Sequence, residues 1–197
     1  MHARPTPEAE SGPAHAVPRL KVSVERFSVN TPFGTSVALL GGHVELYPVS
    51  MPWVRGGVGL AGGAGNGKVQ GGSADVSYGL LGTSIGAQYP GRVTPFIEGH
   101  LSGGFLSAKV DRPISFNGVS VDNASGTTWM YTRGLDAGAE LYAFGRAYLS
   151  GSIGWTRATW GSPDSQTLAQ AGQGIPSEIH FNDVTSDSLM WKLGFGI

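Results

Sequence analysis

Glu98, His100 and Ser102 stand at i, i+2 and i+4. In an extended chain alternate residues share a face, so a carboxylate, an imidazole and a hydroxyl would line up on one side. A carboxylate orienting a histidine that takes a proton from a hydroxyl is the arrangement that activates an oxygen nucleophile. A second chemistry would use His43 and His100, with Glu45 or Glu98 as third ligand, the donor types of a zinc site. A third would use the run GGAGNGKVQGGSAD, where Gly65 and Gly67 sit beside Lys68. A phosphate loop needs a fuller spacing and a helix after it. Neither is present, so this run is expected to be a solvated hairpin loop. The chain has no cysteine, which excludes disulfides and thiolate chemistry.

Whatever positions these residues is made of strands. Charged residues make up 14% of the 197-residue chain, and glycines number 32. Soluble domains carry about 25% charge. The net charge of −1 gives no electrostatic case for nucleic acid. No apolar run approaches the roughly 18 residues of a spanning helix, a test that says nothing of spanning strands. Residues 1–18 hold no periodicity and are expected to be a disordered lead-in without the apolar core of a secretory signal. The chain behind them, 19–197, reads as one domain.

Eight strands are expected, over 20–29, 36–47, 53–62, 76–89, 94–108, 129–143, 146–159 and 187–197. The last is the clearest. Leu189, Trp191, Leu193, Phe195 and Ile197 fall on one parity; Ser188, Met190, Lys192, Gly194 and Gly196 fall on the other. Its length matches the roughly 9–11 residues a tilted strand needs to cross a bilayer. In the first strand Leu20, Val22 and Val24 alternate with Lys21, Ser23 and Glu25, and the phase is lost at Arg26-Phe27. Short turns are expected after the second, fourth and sixth strands. Loops of a dozen to nearly thirty residues are expected after the third, fifth and seventh.

The ending resembles the C-terminal strand of bacterial outer-membrane β-barrels, with an aromatic near the last position and alternate apolar residues before it. Here the aromatic Phe195 lies two places before the final Ile197. The resemblance covers the chain from residue 19 onward and is to the small barrels of the outer-membrane protein A and X type. It implies an all-β fold: an eight-stranded antiparallel up-and-down transmembrane β-barrel with both termini on the periplasmic side. It also implies recognition by the barrel assembly machinery and contact with outer-membrane lipid and lipopolysaccharide.

A closed sheet is required in lipid, because every backbone polar group must find a partner. The apolar parity then faces lipid: Leu149, Ile153, Trp155, Leu189, Trp191, Leu193, Phe195 and Ile197. The other parity fills the lumen with a polar network: His43, Glu45, Arg55, Glu98, His100, Asp136, Glu140, Arg146 and Lys192. Trp129, Tyr131, Trp155, Trp160, Tyr89 and Phe96 are expected as interfacial girdles.

The functional expectation is a non-enzymatic outer-membrane barrel without a cofactor. It would act as a structural, adhesive or narrow-pore protein through external loops, chiefly 111–127 and 160–187, that contact an extracellular ligand. Two alternatives stay open. His100-Leu101-Ser102 resembles the His-x-Ser of outer-membrane lipid A deacylases, which would make Glu98, His100 and Ser102 a lipid A-modifying hydrolase site. However, Gly103-Gly104 stand where that family has its characteristic Asn and following residues. The other alternative is a soluble, lipocalin-like small-ligand barrel with its faces reversed.

Overall fold

The computed structural model describes residues 19–32, 34–69, 72–116, 119–121, 125–144, 146–161 and 183–197. The expected lead-in and most of the last loop lie outside them. The strands are β1 (Arg19–Asn30), β2 (Ser36–Ser50), β3 (Val54–Val69), β4 (Gly72–Gln88) and β5 (Val93–Val110). They continue as β6 (Ile114–Phe116), β7 (Val119–Val121), β8 (Ser125–Phe144), β9 (Ala147–Trp160) and β10 (Val184–Gly196). Eight of them close an antiparallel barrel in the order β1-β10-β9-β8-β5-β4-β3-β2, while β6 and β7 pair as a separate hairpin.

The closing seam is the amphipathic ending. Val22 faces Phe195 and Val24 faces Leu193 across it. Leu20 and Ile197 exchange two backbone hydrogen bonds of 3.0 Å, so pairing runs to the last residue.

The glycine-rich run is not a loop. It forms the far half of β3 and the start of β4, and only residues 70 and 71 separate the two strands. Its glycines answer to crowding. A Cβ on Gly63 would collide with the Leu40 carbonyl oxygen, and one on Gly65 would collide with that of Ala38. Gly in a strand often marks such a close backbone approach. The long connections therefore follow only β5 and β9.

Alternation holds along every strand of the barrel, but its sign reverses part-way. In the half nearer the termini, Val22, Val24, Leu46, Leu60, Ile85, Ile97, Leu141, Ile153, Leu193 and Phe195 are exposed on the outer wall. The charges there point inward. Toward the long connections the outer wall becomes polar. Val24 gives way to Arg26, Ala64 to Asn66, Phe105 to Ser107, Trp155 to Arg157 and Leu189 to Asp187. At the same level the interior becomes an apolar core of Phe27, Val29, Val37, Leu39, Val76, Tyr78, Leu80, Leu106, Met130, Ala158, Trp160 and Met190. This reversal is why the phase of the first strand is lost at Arg26-Phe27: the period stays at two while the residue types exchange faces. The expectation of a small and ionic interior throughout is corrected for this upper half.

Two girdle assignments change, the first because of this reversal and the second because of its inward parity on β5. Trp160 is buried in the upper core, its indole donating to the Asn30 carbonyl at 3.1 Å, and Phe96 is buried in the lumen. Trp129, Tyr131, Trp155 and Tyr89 remain on the outside.

Candidate functional site

The lower lumen is filled by a charged network centred on Arg55, whose exposure is 0%. Its Nε lies 2.8 Å from Glu98 Oε2, and its Nη1 donates to Glu140 Oε1 at 2.7 Å. The guanidinium is also sandwiched, 4.3 Å from the ring centres of both Tyr47 and Phe96. A weakly hydrated, planar cation suits that slot better than an ammonium would. Glu140 is shared, because Arg19 Nη1 donates to its Oε2 at 2.9 Å. One chain of ion pairs therefore ties β1, β3, β5 and β8 across the barrel axis.

Two further groups continue it. Lys21 Nζ lies 2.8 Å from Glu45 Oε2 and donates to the Tyr47 hydroxyl at 2.7 Å, and that hydroxyl donates to Glu45 at 2.5 Å. Ser84 adds a hydrogen bond to Glu45 Oε1 at 2.6 Å. Nearer the upper core, Lys192 Nζ pairs with Asp136 Oδ2 at 3.0 Å, and Tyr78 donates to Glu25 Oε1 at 2.9 Å. His43 Nδ1 lies 3.5 Å from Glu25, and His100 Nδ1 lies 3.7 Å from Asp136.

The interior glycines make room for these groups. A Cβ on Gly59 would meet His43 Nε2 at 2.5 Å, and one on Gly134 would meet the His100 ring at 2.6 Å. On Gly138 it would meet Phe96 at 2.7 Å, and on Gly196 it would collide with the Tyr148 ring. A bulky inward side chain on one strand thus lies over a glycine on its neighbour.

The structure brings His43, Glu45, Arg55, Glu98, His100, Asp136, Glu140 and Lys192 into this lumen. Arg146 is not there. It stands exposed in the β8–β9 turn, where a register shift between Tyr142 and Phe144 ends the alternation that predicted an inward position. Arg19, Lys21 and Glu25 are lumen residues absent from the expected set. Their parity in β1 was visible, being opposite to Leu20, Val22 and Val24. Of the expected outer residues, Trp191 is partly covered; Leu149, Ile153, Trp155, Leu189, Leu193, Phe195 and Ile197 are exposed.

Glu98, His100 and Ser102 do share the inward face of β5, yet they do not act as a unit. Glu98 is engaged by Arg55, and the His100 Nε2 contact is with Thr156 Oγ1 at 3.4 Å. Among the described residues His100 has no hydrogen bond to Ser102. His43 and His100 border one cavity of about 30 Å³ together with Glu25, Glu45 and Lys192. It has room for roughly two water molecules. Among the described residues no three metal-binding side chains converge, and the Lys192 ammonium on the cavity wall opposes a cation there.

A closed eight-stranded barrel with a side-chain-filled axis now stands against an apolar outer belt. No protein-family model matches the chain, and no curated protein does. Among solved structures, the crystal structure of Neisserial surface protein A is similar over 91% of this chain and 96% of that one, with a TM-score of 0.55 and 12% identity. The chain has the fold of a small outer-membrane β-barrel. The N-terminal β-barrel domain of Pseudomonas aeruginosa OprF aligns over 89% of this chain and 95% of that one, with 13% identity and a TM-score of 0.37. A major outer membrane protein from Thermus thermophilus aligns over 91% and 98%, with 12% identity and a TM-score of 0.47. At such identities the likeness to Neisserial surface protein A concerns architecture alone, and the roles of residues in this barrel follow from its own geometry.

Proposed function

We propose that this chain is an integral protein of the bacterial outer membrane: a plugged, non-enzymatic barrel that holds its two long connections, 111–124 and 161–183, at the cell surface for adhesion or ligand contact. The observation that carries this reading is the pairing of an apolar outer belt with a cross-bolted ionic lumen in the same half of the barrel. An apolar wall of that extent is unfavourable in water and favourable in hydrocarbon. Charges inside it are tolerable because each cation has a carboxylate within ion-pair distance.

The filled axis favours an anchor over a pore. Arg55 and its two carboxylates stand in the central path, with rings packed above and below the guanidinium. A hydrolase acting on lipid A is disfavoured because Glu98, His100 and Ser102 face the lumen, while lipid arrives at the opposite face. A soluble lipocalin-like barrel is disfavoured by the exposed Leu60, Ile85, Ile153 and Leu193.

Cell fractionation with heat-modifiable gel migration tests the location, and planar-bilayer recording tests the plug. The expected outcome is an outer-membrane protein that unfolds only on boiling and carries no steady current. A monodisperse monomer without detergent would sink the membrane reading. A steady current would turn the reading toward a narrow pore.

A further inference from the structure

One arginine of the outer wall meets an acidic residue, Asp187, only through space. Arg133, on β8, is exposed and shares the outward face with Tyr131 and Leu135. Its cross-strand neighbours are Leu101 on β5 and Arg157 on β9. Among the described residues no carboxylate pairs with it. Asp187, one strand further on, is already gripped by both arms of Arg157 at 2.8 and 2.9 Å. Like charges directly opposite on a sheet repel. Arg133 stands at the upper edge of the apolar belt, level with Arg157, where a cation is tolerated and an anion would give it a charge-assisted partner.

Beside Arg133 the wall is indented. Gly99 leaves a gap among Ile85, Leu101 and Leu135, and a Cβ there would reach only backbone oxygens, at 3.8 and 3.9 Å. The resulting open groove is about 380 Å³, floored by the sheet and walled by apolar side chains, with Trp155 along one side. Arg133 closes its upper end, and Arg157 marks the level at which the outer face of β9 turns polar.

We propose that this groove holds one lipid of the surrounding bilayer, its acyl chain beside Gly99 and its anionic phosphate on Arg133; the inference rests on the outer-membrane reading above. The Arg133 guanidinium offers the forked donors that phosphate oxygens accept, whereas Nε and Nη2 of Arg157 are already held by Asp187. Tyr131 and Trp155 lie beside them, as amphipathic rings do at headgroup depth. The occupant is therefore a lipid with a net negative phosphate headgroup, not a zwitterionic one.

The test uses the full chain in nanodiscs of equal phosphatidylglycerol and phosphatidylcholine with matched acyl chains, released and weighed by native mass spectrometry. One retained phosphatidylglycerol is expected. Losing a charge-assisted contact in Arg133→Gln should lower its retention roughly tenfold. Gly99→Leu, which fills the slot, should lower it comparably. Arg92→Gln, a cation in the turn at the opposite end, should leave it unchanged. Equal retention of both lipids, or full retention by both groove variants, overturns the proposal, as does displacement of the lipid by millimolar inorganic phosphate. Heat-modifiable migration of each variant separates these outcomes. A chain that does not insert refutes the outer-membrane reading, whereas one that inserts and retains no lipid refutes this inference alone.

Discussion

Arg55 decides the charge balance of the lumen. Replacing it with Ala would leave Glu98 without its cation and Glu140 with Arg19 alone. Breaking a buried pair from one side costs about 3–5 kcal/mol, so Arg55→Ala should unfold at a clearly lower urea midpoint in lipid vesicles; an unchanged midpoint would falsify the bolted lumen. Glycine positions test packing at the same scale. At Gly138 a valine would press on Phe96, 2.7 Å from a Cβ, and on the Gly151 carbonyl. Overpacking of this kind costs about 1–3 kcal/mol, readable in the same titration. Parity alone was enough to turn Arg55, Glu98 and Glu140 inward. Their pairing was not legible, because it depends on which strands face each other across the axis. Arg146 was misplaced because parity has no meaning inside a turn.

At the scale of the strand, the exchange of faces is the finding that changes how this chain is read. Outward residues are apolar as far as Val24, Phe105, Trp155 and Leu189, and polar beyond them. A cation placed on a lipid-facing strand costs about 2–4 kcal/mol at the bilayer midplane and about 0–1 near its edge. Ile153→Arg should therefore destabilise the barrel in vesicles by the larger amount, and Ser107→Arg by little. Equal costs would mean that the apolar belt has been placed at the wrong level. The sequence pattern located strand centres well and strand ends poorly. The run 62–75 looked like a loop because its glycines carry no alternation in hydrophobicity, although crowding against β2 is what demands them.

For the whole molecule, closure was the legible part. Eight alternating segments and an amphipathic ending leave few options when every edge must be paired. The apolar upper core was not legible, since a buried Phe27 or Trp160 carries the same letter as a lipid-facing one. The proposed plug involves the whole axis, so it is tested on the whole axis. Planar-bilayer recordings should show no steady current for the native chain, and a measurable one once Arg55, Glu98 and Glu140 are all changed to Ala. A silent triple variant that still migrates as folded would assign the seal to the upper core.

That upper core gives the strands rigid walls beyond the belt, and there the outward residues are hydrophilic: Asn66, Lys68, Ser73, Asp75, Ser77 and Lys109 on β3, β4 and β5. A bilayer would grip only the lower part of these strands. On the outer-membrane reading proposed above, a macromolecule approaching from outside would meet a stiff, hydrogen-bonded pleated surface as well as the connections between strands. Such a surface would surrender little conformational freedom on being bound, which would suit the barrel wall itself to recognition under the function proposed above.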